Sequence, residues 1–284
     1  VNQTPGTVSG TGTIRVQTTS GGSLLIPTGN YTSFASTAGG TFEFYGTTNA
    51  TLNAAAFTFN NIIFSGASTK TLASGSYVLN GNLTISSGTL SNTTNNSALS
   101  IKGNWTNNSS TTAFVPGSGV GTVTFNGSTA QSVGGSFSTS FNNLTINNSS
   151  ATGLTLNQPI FVAKALTLTD GFVYTTSTNL LTVRHNGTAS SGSAASYVAG
   201  PMKKVGTASF IFPIGTSDGV KWARIGMNAV SGYDVTTEFT ADYSFTGASN
   251  NTLLEMNGGL DHVSYAEVWN LARTLDPSNN ASAR

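Results

Sequence analysis

Charged residues are scarce in this chain, and cysteine is absent. Only 7% of its 284 residues are Asp, Glu, Lys or Arg, against about 25% in an ordinary soluble domain. Without cysteine, the chain has no disulfide, no thiolate metal site and no thiol nucleophile. The formal net charge is +1 and the longest basic run is the pair Lys203-Lys204. Binding of nucleic acid by a basic face is therefore not expected.

Long apolar runs are absent as well. No run approaches the roughly 20 residues of a membrane helix, so we predict no membrane-spanning segment. Polarity comes instead from Thr, Ser, Asn and Gly, which is typical of an extracellular protein stabilised by backbone ladders. The chain begins VNQTPG and ends ASAR, without an initiator Met or a signal peptide. We expect a mature product or, in preference, a segment of a longer protein.

Apolar residues recur with period two in short pieces, each typical of a brief strand with two inward side chains. The pieces are Ile14-x-Val16, Leu24-x-Ile26, Phe42-x-Phe44, Ile62-x-Phe64, Leu83-x-Ile85, Leu99-x-Ile101, Val123-x-Phe125, Leu144-x-Ile146, Leu166-x-Leu168 and Leu181-x-Val183. From Phe42 onward they return at intervals of about twenty residues, as the coils of a parallel β-helix do. We therefore predict a right-handed parallel β-helix over residues 1–199.

A longer repeat lies over the short one. FNNIIFSG (Phe59 to Gly66) returns as FNNLTINN (Phe141 to Asn148), and GTFEFYG, NLTISSG and LSI return in the same order as GTVTFNG, ALTLTDG and LTV. We predict two internal repeats, about 40–105 and 121–186. Ile62 and Leu144, and likewise Leu83 and Leu166, should occupy equivalent inward positions. The Asn pair of FNN has two open interpretations: a stacked Asn ladder, or tolerance of left-handed turn geometry.

The composition changes after Ala199. Eight of the ten acidic residues lie beyond residue 200, and YDVTTEFTADYSF (Tyr233 to Phe245) alternates strictly. Such alternation is typical of a half-exposed antiparallel strand. We predict a smaller antiparallel β-sandwich domain over residues 200–284, complete or truncated.

The β-helix region offers little for catalysis. Parallel β-helices are often polysaccharide lyases or hydrolases, which use clustered carboxylates. The first 199 residues contain only Glu43 and Asp170, at non-equivalent places in the two repeats. A structural role is expected for both, and we predict no catalytic residue.

No metal or cofactor site is predicted either. His185 and His262 have no partner at a metal-binding spacing. Asp234, Glu238 and Asp242 would share one strand face, but they lack the spacing of a calcium loop, so a solvated face is favoured over a cation site.

Three tryptophans are the candidate ligand contacts. Trp105, Trp222 and Trp269 would stack on sugar rings if exposed. The alternative for each is a partly buried anchor in the core.

Two segments carry a family resemblance. FNNLTINNSSATGLTLNQPIFVAKALTLTDG resembles repeats of very large secreted surface proteins of Bacteroidota, including gliding adhesins exported by the type IX secretion system. The stretch GPMKKVGTASFIFPIGTSDG, with the later VSYAEVWNLART, is similar to a module that often follows such repeats. The resemblance runs from about residue 40 onward. It implies an extracellular cell-surface location, adhesive or scaffolding work and passage through the secretion machinery. It supplies no catalytic residues, and the C-terminal sorting domain of such substrates is not visible.

These observations favour a non-enzymatic adhesin, stalk or filament subunit at the cell surface. The alternatives are a carbohydrate-active β-helix enzyme and a carbohydrate-binding module that contacts surface polysaccharide. The first coil, containing Thr-Ile-Arg-Val (Thr13 to Val16), is expected to be completed by outside strands. Upstream β-helical repeats are favoured as the source over a neighbouring subunit in a homo-assembly.

Overall fold

The fold is built entirely from strands in the part of the chain that the structure describes. This structure, a computed structural model, describes residues 6–17, 21–55, 57–119, 121–245 and 267–275. The strands, in chain order, are β1 (Thr13–Val16), β2 (Gly22–Leu24), β3 (Thr41–Phe44), β4 (Ala50–Leu52), β5 (Thr58–Phe59), β6 (Asn61–Phe64), β7 (Thr69–Leu72), β8 (Ser76–Leu79), β9 (Leu83–Ile85), β10 (Thr89–Ser91), β11 (Ala98–Ile101), β12 (Trp105–Asn107), β13 (Phe114–Val115), β14 (Thr122–Phe125), β15 (Gln131–Gly135), β16 (Thr139–Asn147), β17 (Leu154–Leu156), β18 (Ile160–Asp170), β19 (Val173–Tyr174), β20 (Leu181–Val183), β21 (Thr188–Ala189), β22 (Val198–Ala199), β23 (Met202–Val205), β24 (Phe210–Phe212), β25 (Ile214–Gly215), β26 (Ile225–Met227), β27 (Glu238–Ser244) and β28 (Val268–Leu275). The prediction of an all-β chain is confirmed.

Three sheets run along the molecule. Sheet 1 has the order β1-β3-β6-β9-β12-β15-β17-β19-β22-β25, and sheet 2 the order β2-β4-β7-β10-β13. Sheet 3 runs from β5 through β8, β11, β14, β16, β18, β20 and β23 to β27 and β28. Every neighbouring pair is parallel in sheets 1 and 2, and in sheet 3 as far as β23. The predicted parallel β-helix is confirmed.

The coil changes its cross-section partway along. From β3 to β13 the chain visits sheets 1, 2 and 3 in turn, and from β14 to β20 it alternates between sheets 3 and 1. In this second part β16 and β18 lengthen to nine and eleven residues. The β-helix therefore has three-sheet coils followed by two-sheet coils.

The core is formed by the period-two apolar pairs. All eight pairs from Phe42 onward are buried, with Leu168 the most accessible at 8%. Because strand neighbours are in register, each inward side chain lies on the one from the coil before, as Phe64 does on Phe44 at 5.8 Å between ring centroids. A fully buried side chain of this size contributes about 1.5–3 kcal/mol. The sequence pattern thus predicts the inward residues correctly.

Three of the four matched motifs lie in different sheets in the two repeats, and only LSI on β11 and LTV on β20 share sheet 3. Ile62 lies on β6 and Leu83 on β9, both in sheet 1, whereas Leu144 on β16 and Leu166 on β18 lie in sheet 3. All four are buried as predicted, but the predicted equivalence is wrong. The physical reason is coil length: the repeat offset of about 82 residues is shorter than the four coils separating the starts of β3 and β15, Thr41 and Gln131.

Beyond residue 199 the described strands join the same sheets. β23 pairs parallel with β20, and β25 pairs parallel with β22. β27 then adds to β23 and β28 adds to β27, both antiparallel, while β24 and β26 form a separate two-stranded sheet. The alternation predicted for residues 233–245 holds from Thr237 to Tyr243, although β27 begins only at Glu238. The described antiparallel pair extends sheet 3, and a β-sandwich over 200–284 stays a prediction.

Candidate functional site

Trp105 is part of the core. Its side chain is 0% exposed, packs edge-on against Phe114 and Phe141 at 4.9 and 5.2 Å between centroids, and donates from Nε1 to Thr139 Oγ1 at 3.1 Å. A ring enclosed in this way has no face for a sugar. The anchor interpretation therefore applies to Trp105, and its assignment as a ligand contact is wrong.

The other two tryptophans lie near the C-terminal end of the β-helix. Trp222 is half-buried, and its Nε1 finds no hydrogen-bond acceptor among the described residues. Trp269 on β28 is 44% exposed, with its ring 5.1 Å from that of Tyr243. The structure does not bring the three tryptophans onto one surface, because Trp105 is buried in the coil of β12.

Glu43 has a structural partner on the neighbouring coil. Its carboxylate accepts hydrogen bonds from Arg15 Nε and Ser65 Oγ, both at 2.7 Å. These two bonds, the Arg15 bond first, lower the pKa of Glu43. The guanidinium of Arg15 also lies 4.1 Å from the ring centroid of Tyr45. Glu43 thus links three successive coils, whereas Asp170 ends β18 in sheet 3.

The acidic residues of the C-terminal part are separated. Asp234 lies before β27, where its Oδ1 accepts hydrogen bonds from the backbone N–H and the hydroxyl of Thr236. Glu238 forms an ion pair with Lys203 at 2.6 Å. No group of three or more metal-binding side chains occurs in the described ranges. His185 lies in the turn after β20, and His262 lies outside the described residues.

An asparagine ladder follows the corner where sheet 3 leads into sheet 1. Oδ1 of Asn61 accepts from the backbone N–H of Asn82, Oδ1 of Asn82 from that of Asn104, and Oδ1 of Asn104 from that of Ser132, at 2.8–2.9 Å. The ladder interpretation is confirmed for Asn61, the second asparagine of the first FNN, whereas the Asn60 amide donates to the Gly39 carbonyl. The left-handed interpretation is wrong, because Asn96 and Asn186 are the described non-glycine residues with positive φ. In the second FNN, the Asn143 amide instead donates to two carbonyls.

Two buried lysines were not identified from the sequence. Lys70 on β7 faces inward between Ala50 and Leu90, and its Nζ donates to the carbonyls of Ser65 and Gly46 at 2.9 and 3.0 Å. Burial lowers the pKa of the Lys70 ammonium. The sequence does contain a signal: in TKTL (Thr69–Leu72), Lys70 is two residues before Leu72, so both side chains lie on the inward face of the strand.

Lys204 on β23 is the second of these lysines, and it is 1% exposed. Its Nζ donates to the carbonyls of Arg184 and Gly187 at 2.7 and 3.1 Å, and lies 5.3 Å from the ring centroid of Phe210. Burial lowers the pKa of Lys204 to about 8. The sequence showed only a basic pair, of which Lys203 faces outward.

Lys204 lies at the base of a groove of about 640 Å³. The groove is bounded by the turn after β20, by β21 and by the antiparallel pair β24–β26. Its floor consists of buried Phe210, Met227 and Lys204. Its rim carries exposed amide and hydroxyl side chains, from Asn186, Thr188, Ser191, Ser209 and Asn228. This combination of a mostly apolar floor and a polar rim is suited to binding a small molecule.

The comparisons with protein-family models, curated proteins and solved structures find no match to this chain. Among the described residues, no helix has the length and apolar character needed to cross a bilayer.

Proposed function

We propose that the chain is a non-enzymatic structural and adhesive module of a secreted bacterial surface protein: part of an adhesin, stalk or filament. The observation that carries this proposal is the continuity of the β-helix. Sheet 1 passes through ten strands in register, and one apolar cluster extends from Val16 to Tyr243. A stack of this kind resists bending, because each coil is hydrogen-bonded to the next along its strands.

The outer faces support adhesion through neutral groups. On sheet 3 one row of side chains in register crosses four strands and consists of Ser100, Thr124, Thr145 and Thr167. On sheet 2 a second such row consists of Ser23, Thr51 and Thr71, and it ends at Ser91, which is buried. Hydroxyl groups both donate and accept hydrogen bonds. Such rows suit a hydroxyl-rich surface and attract charged molecules weakly.

The partner and location predictions belong to the same proposal. We place the protein outside the cell, delivered there by secretion machinery of the kind its Bacteroidota-like repeats imply. β1 pairs with β3 along one edge, and its other edge pairs with no named strand in the described residues. That edge is suited to further β-helical repeats or to a neighbouring copy. The right-handed sense of the coil and the sandwich over 200–284 are also part of this proposal.

Adhesion under flow tests the function. Beads coated with the protein should attach to polysaccharide-coated glass more strongly than beads coated with heat-denatured protein. Antibody should also label the surface of intact cells that produce the protein. Attachment no better than that of denatured protein, or labelling only after lysis, would contradict the proposal.

Turnover distinguishes the enzymatic alternative. We expect no release of reducing ends or unsaturated products when the protein is incubated with plant or bacterial polysaccharides. If products appear and the double variant Glu43→Gln/Asp170→Asn abolishes them, the carbohydrate-active alternative holds. This double variant tests catalysis by the β-helix region, because Glu43 and Asp170 are the only acidic side chains in residues 1–199.

A further inference from the structure

We propose that the groove beside β24 binds a neutral oligosaccharide. This inference deepens the proposed adhesive function, on which it rests, by naming a site and a ligand class. The groove volume of about 640 Å³ falls within the roughly 300–1,000 Å³ of small-molecule sites. It is larger than the clefts of about 530, 500 and 210 Å³ elsewhere on the protein.

The floor of the groove provides the apolar contact. Phe210 on β24 and Met227 on β26 are antiparallel partners, and both are 7% exposed. Phe212 supports the Phe210 ring edge-on at 4.9 Å between centroids. Phe210 and Met227 close the bottom of the groove, and the apolar surface that a ligand can reach beside them belongs to Ala208 and to Ile211, which is 42% exposed. The C–H face of a pyranose ring packs on aliphatic side chains of this kind, which do not compete for its hydrogen bonds.

The rim provides polar groups that match sugar hydroxyls. Asn186, Thr188 and Ser191 lie on one side, and Ser209 and Asn228 lie on the side of the β24–β26 pair; all are exposed. Amides and hydroxyls each offer both donors and acceptors. A sugar hydroxyl also does both, so these groups satisfy a saccharide better than a purely donating or purely accepting ligand.

The charge arrangement selects a neutral ligand. Of the described residues that line the groove, Lys204 is the one with an ionisable side chain. Its ammonium is already bound by two carbonyls and is 1% exposed. An anionic sugar would gain little from a cation held in this way, and its own carboxylate would lose solvation on entering the groove.

The same ammonium prepares one side of the groove. Its two acceptors, Arg184 and Gly187, flank Asn186 in sequence. Asn186 has a φ of 63°, a left-handed conformation that is uncommon outside glycine. Such conformations persist where the surrounding structure fixes them, and they are enriched at ligand sites. Lys204 thus fixes the turn that presents the Asn186 amide at the rim.

Binding is measured on the whole chain by ¹⁵N–¹H NMR titration with cellohexaose, mannohexaose and chitohexaose, and with hexagalacturonate as the anionic comparison. At least one neutral oligosaccharide should shift resonances of rim residues, and hexagalacturonate should bind at least about tenfold more weakly. Ser209→Trp should fill the groove and weaken binding by about tenfold or more. The matched control Ala98→Trp places the same ring on an exposed position of β11 and should leave binding unchanged.

The outcomes separate the groove from the adhesive function. No rim shift with any neutral probe, equal binding of hexagalacturonate, or equal loss in both tryptophan variants overturns the groove proposal. Asn228→Ala, which removes only a rim amide, gives a second test that does not touch the core; unchanged affinity would count against the groove. If wild-type beads adhere and Ser209→Trp beads adhere equally, adhesion stands and the groove fails. If the oligosaccharide binds in solution but the beads do not adhere, the groove proposal stands and the adhesive function fails.

Discussion

Two lysine ammonium groups are buried inside this β-helix. At Lys70 and Lys204 the chain places a lysine on the inward side of a strand, where apolar residues dominate. Each ammonium is hydrogen-bonded to backbone carbonyls at a corner. Buried carbonyls need donors, and charged donors make the stronger hydrogen bonds. The cost is desolvation of the ammonium, which lowers the pKa of both lysines.

Lys204→Met should remove a pH dependence of stability. The folded-state pKa of Lys204 is lowered from 10.5 to about 8, so between these values the unfolded chain binds more protons than the folded one. Stability of the wild type should therefore rise with pH across this window, relative to Lys204→Met, by at most about 1.4 kcal/mol per pH unit. Below pH 8 the difference should be constant. The measurement is the free energy of unfolding in urea from pH 7 to 11.

Other titrating groups are common to both proteins in that comparison. Burial raises the pKa of Tyr197 from 10.0 to about 12, so its contribution to the free energy of unfolding falls as pH rises between these values. This fall is the same in wild type and variant. A difference that falls with pH, or stays flat throughout, would contradict the arrangement around Lys204.

Single residues were the hardest features to predict from the sequence. The alternation marks positions 70 and 204 as inward, but composition alone treats lysine as a surface residue. Trp105, Trp222 and Trp269 looked alike, because the exposure of a tryptophan depends on which coil covers it. For the asparagines of the first FNN, the sequence left a ladder and a left-handed turn open; Asn61 forms the ladder because its side-chain acceptor can pair with the next coil once the coils stack.

Glycines form the corner between sheets 1 and 2. One glycine with positive φ lies in the turn that follows each of the sheet 1 strands β3, β6 and β9: Gly46, Gly66 and Gly88. A Cβ on Gly66 would lie 2.2 Å from the carbonyl oxygen of Gly46, and one on Gly88 would lie 2.3 Å from that of Gly66. The coils can approach this closely because none of these residues has a side chain.

Gly66→Ala should destabilise the protein by about 2 kcal/mol or more. The left-handed conformation alone costs an alanine about 1–2 kcal/mol, and contact with the Gly46 backbone adds to that cost. Gly12→Ala is the matched control, since its Cβ would meet nothing within 4 Å and its φ is not positive. Urea unfolding monitored by circular dichroism gives both values. Equal stability of the two variants would show that the corner is not tightly packed.

The sequence predicts the positions of the strands well, but it does not predict which sheet each strand joins. The period-two pattern fixes which side chains face inward, because alternation is a property of each strand alone. It is the same in every sheet, so Leu83 and Leu166 look equivalent in sequence while lying in sheets 1 and 3. The sheet that a strand joins depends on the number of residues at each corner. Turn residues mark a corner but do not fix its angle.

The boundary predicted at residue 199 bears on the whole molecule. It rested on a change of composition, and acidic residues do increase after it. Hydrogen bonding follows a different pattern, because sheets 1 and 3 both continue across it through β22, β23 and β25. Residues from both sides of position 199 also belong to one apolar cluster. Shared sheets and a shared core couple the described parts energetically.

We therefore expect the described parts of the chain to unfold in one transition. Two single-tryptophan proteins report on the two sides of residue 199: one keeps Trp105 and the other keeps Trp222, with the remaining tryptophans replaced by phenylalanine. Trp105 reports on the core at β12, and Trp222 reports on the segment bridged to Gly215. Because a strand cannot leave sheet 3 at β23 without exposing Met202, Ala241 and their neighbours, loss of either side should expose the core of the other.

In each single-tryptophan protein, the urea transition followed by fluorescence should coincide with the transition followed by circular dichroism. The comparison is made within each protein, because replacing the buried Trp105 by itself lowers stability. Circular dichroism of each variant checks that the phenylalanine replacements leave the fold intact. An independent sandwich domain predicts a different result, in which the Trp222 signal changes at its own urea concentration while Trp105 stays buried. Separate fluorescence and circular dichroism midpoints within one protein would therefore restore the domain boundary at 199. A single midpoint means that the segment around Trp222, which is bridged to Gly215 of sheet 1, unfolds with the β-helix as one cooperative unit.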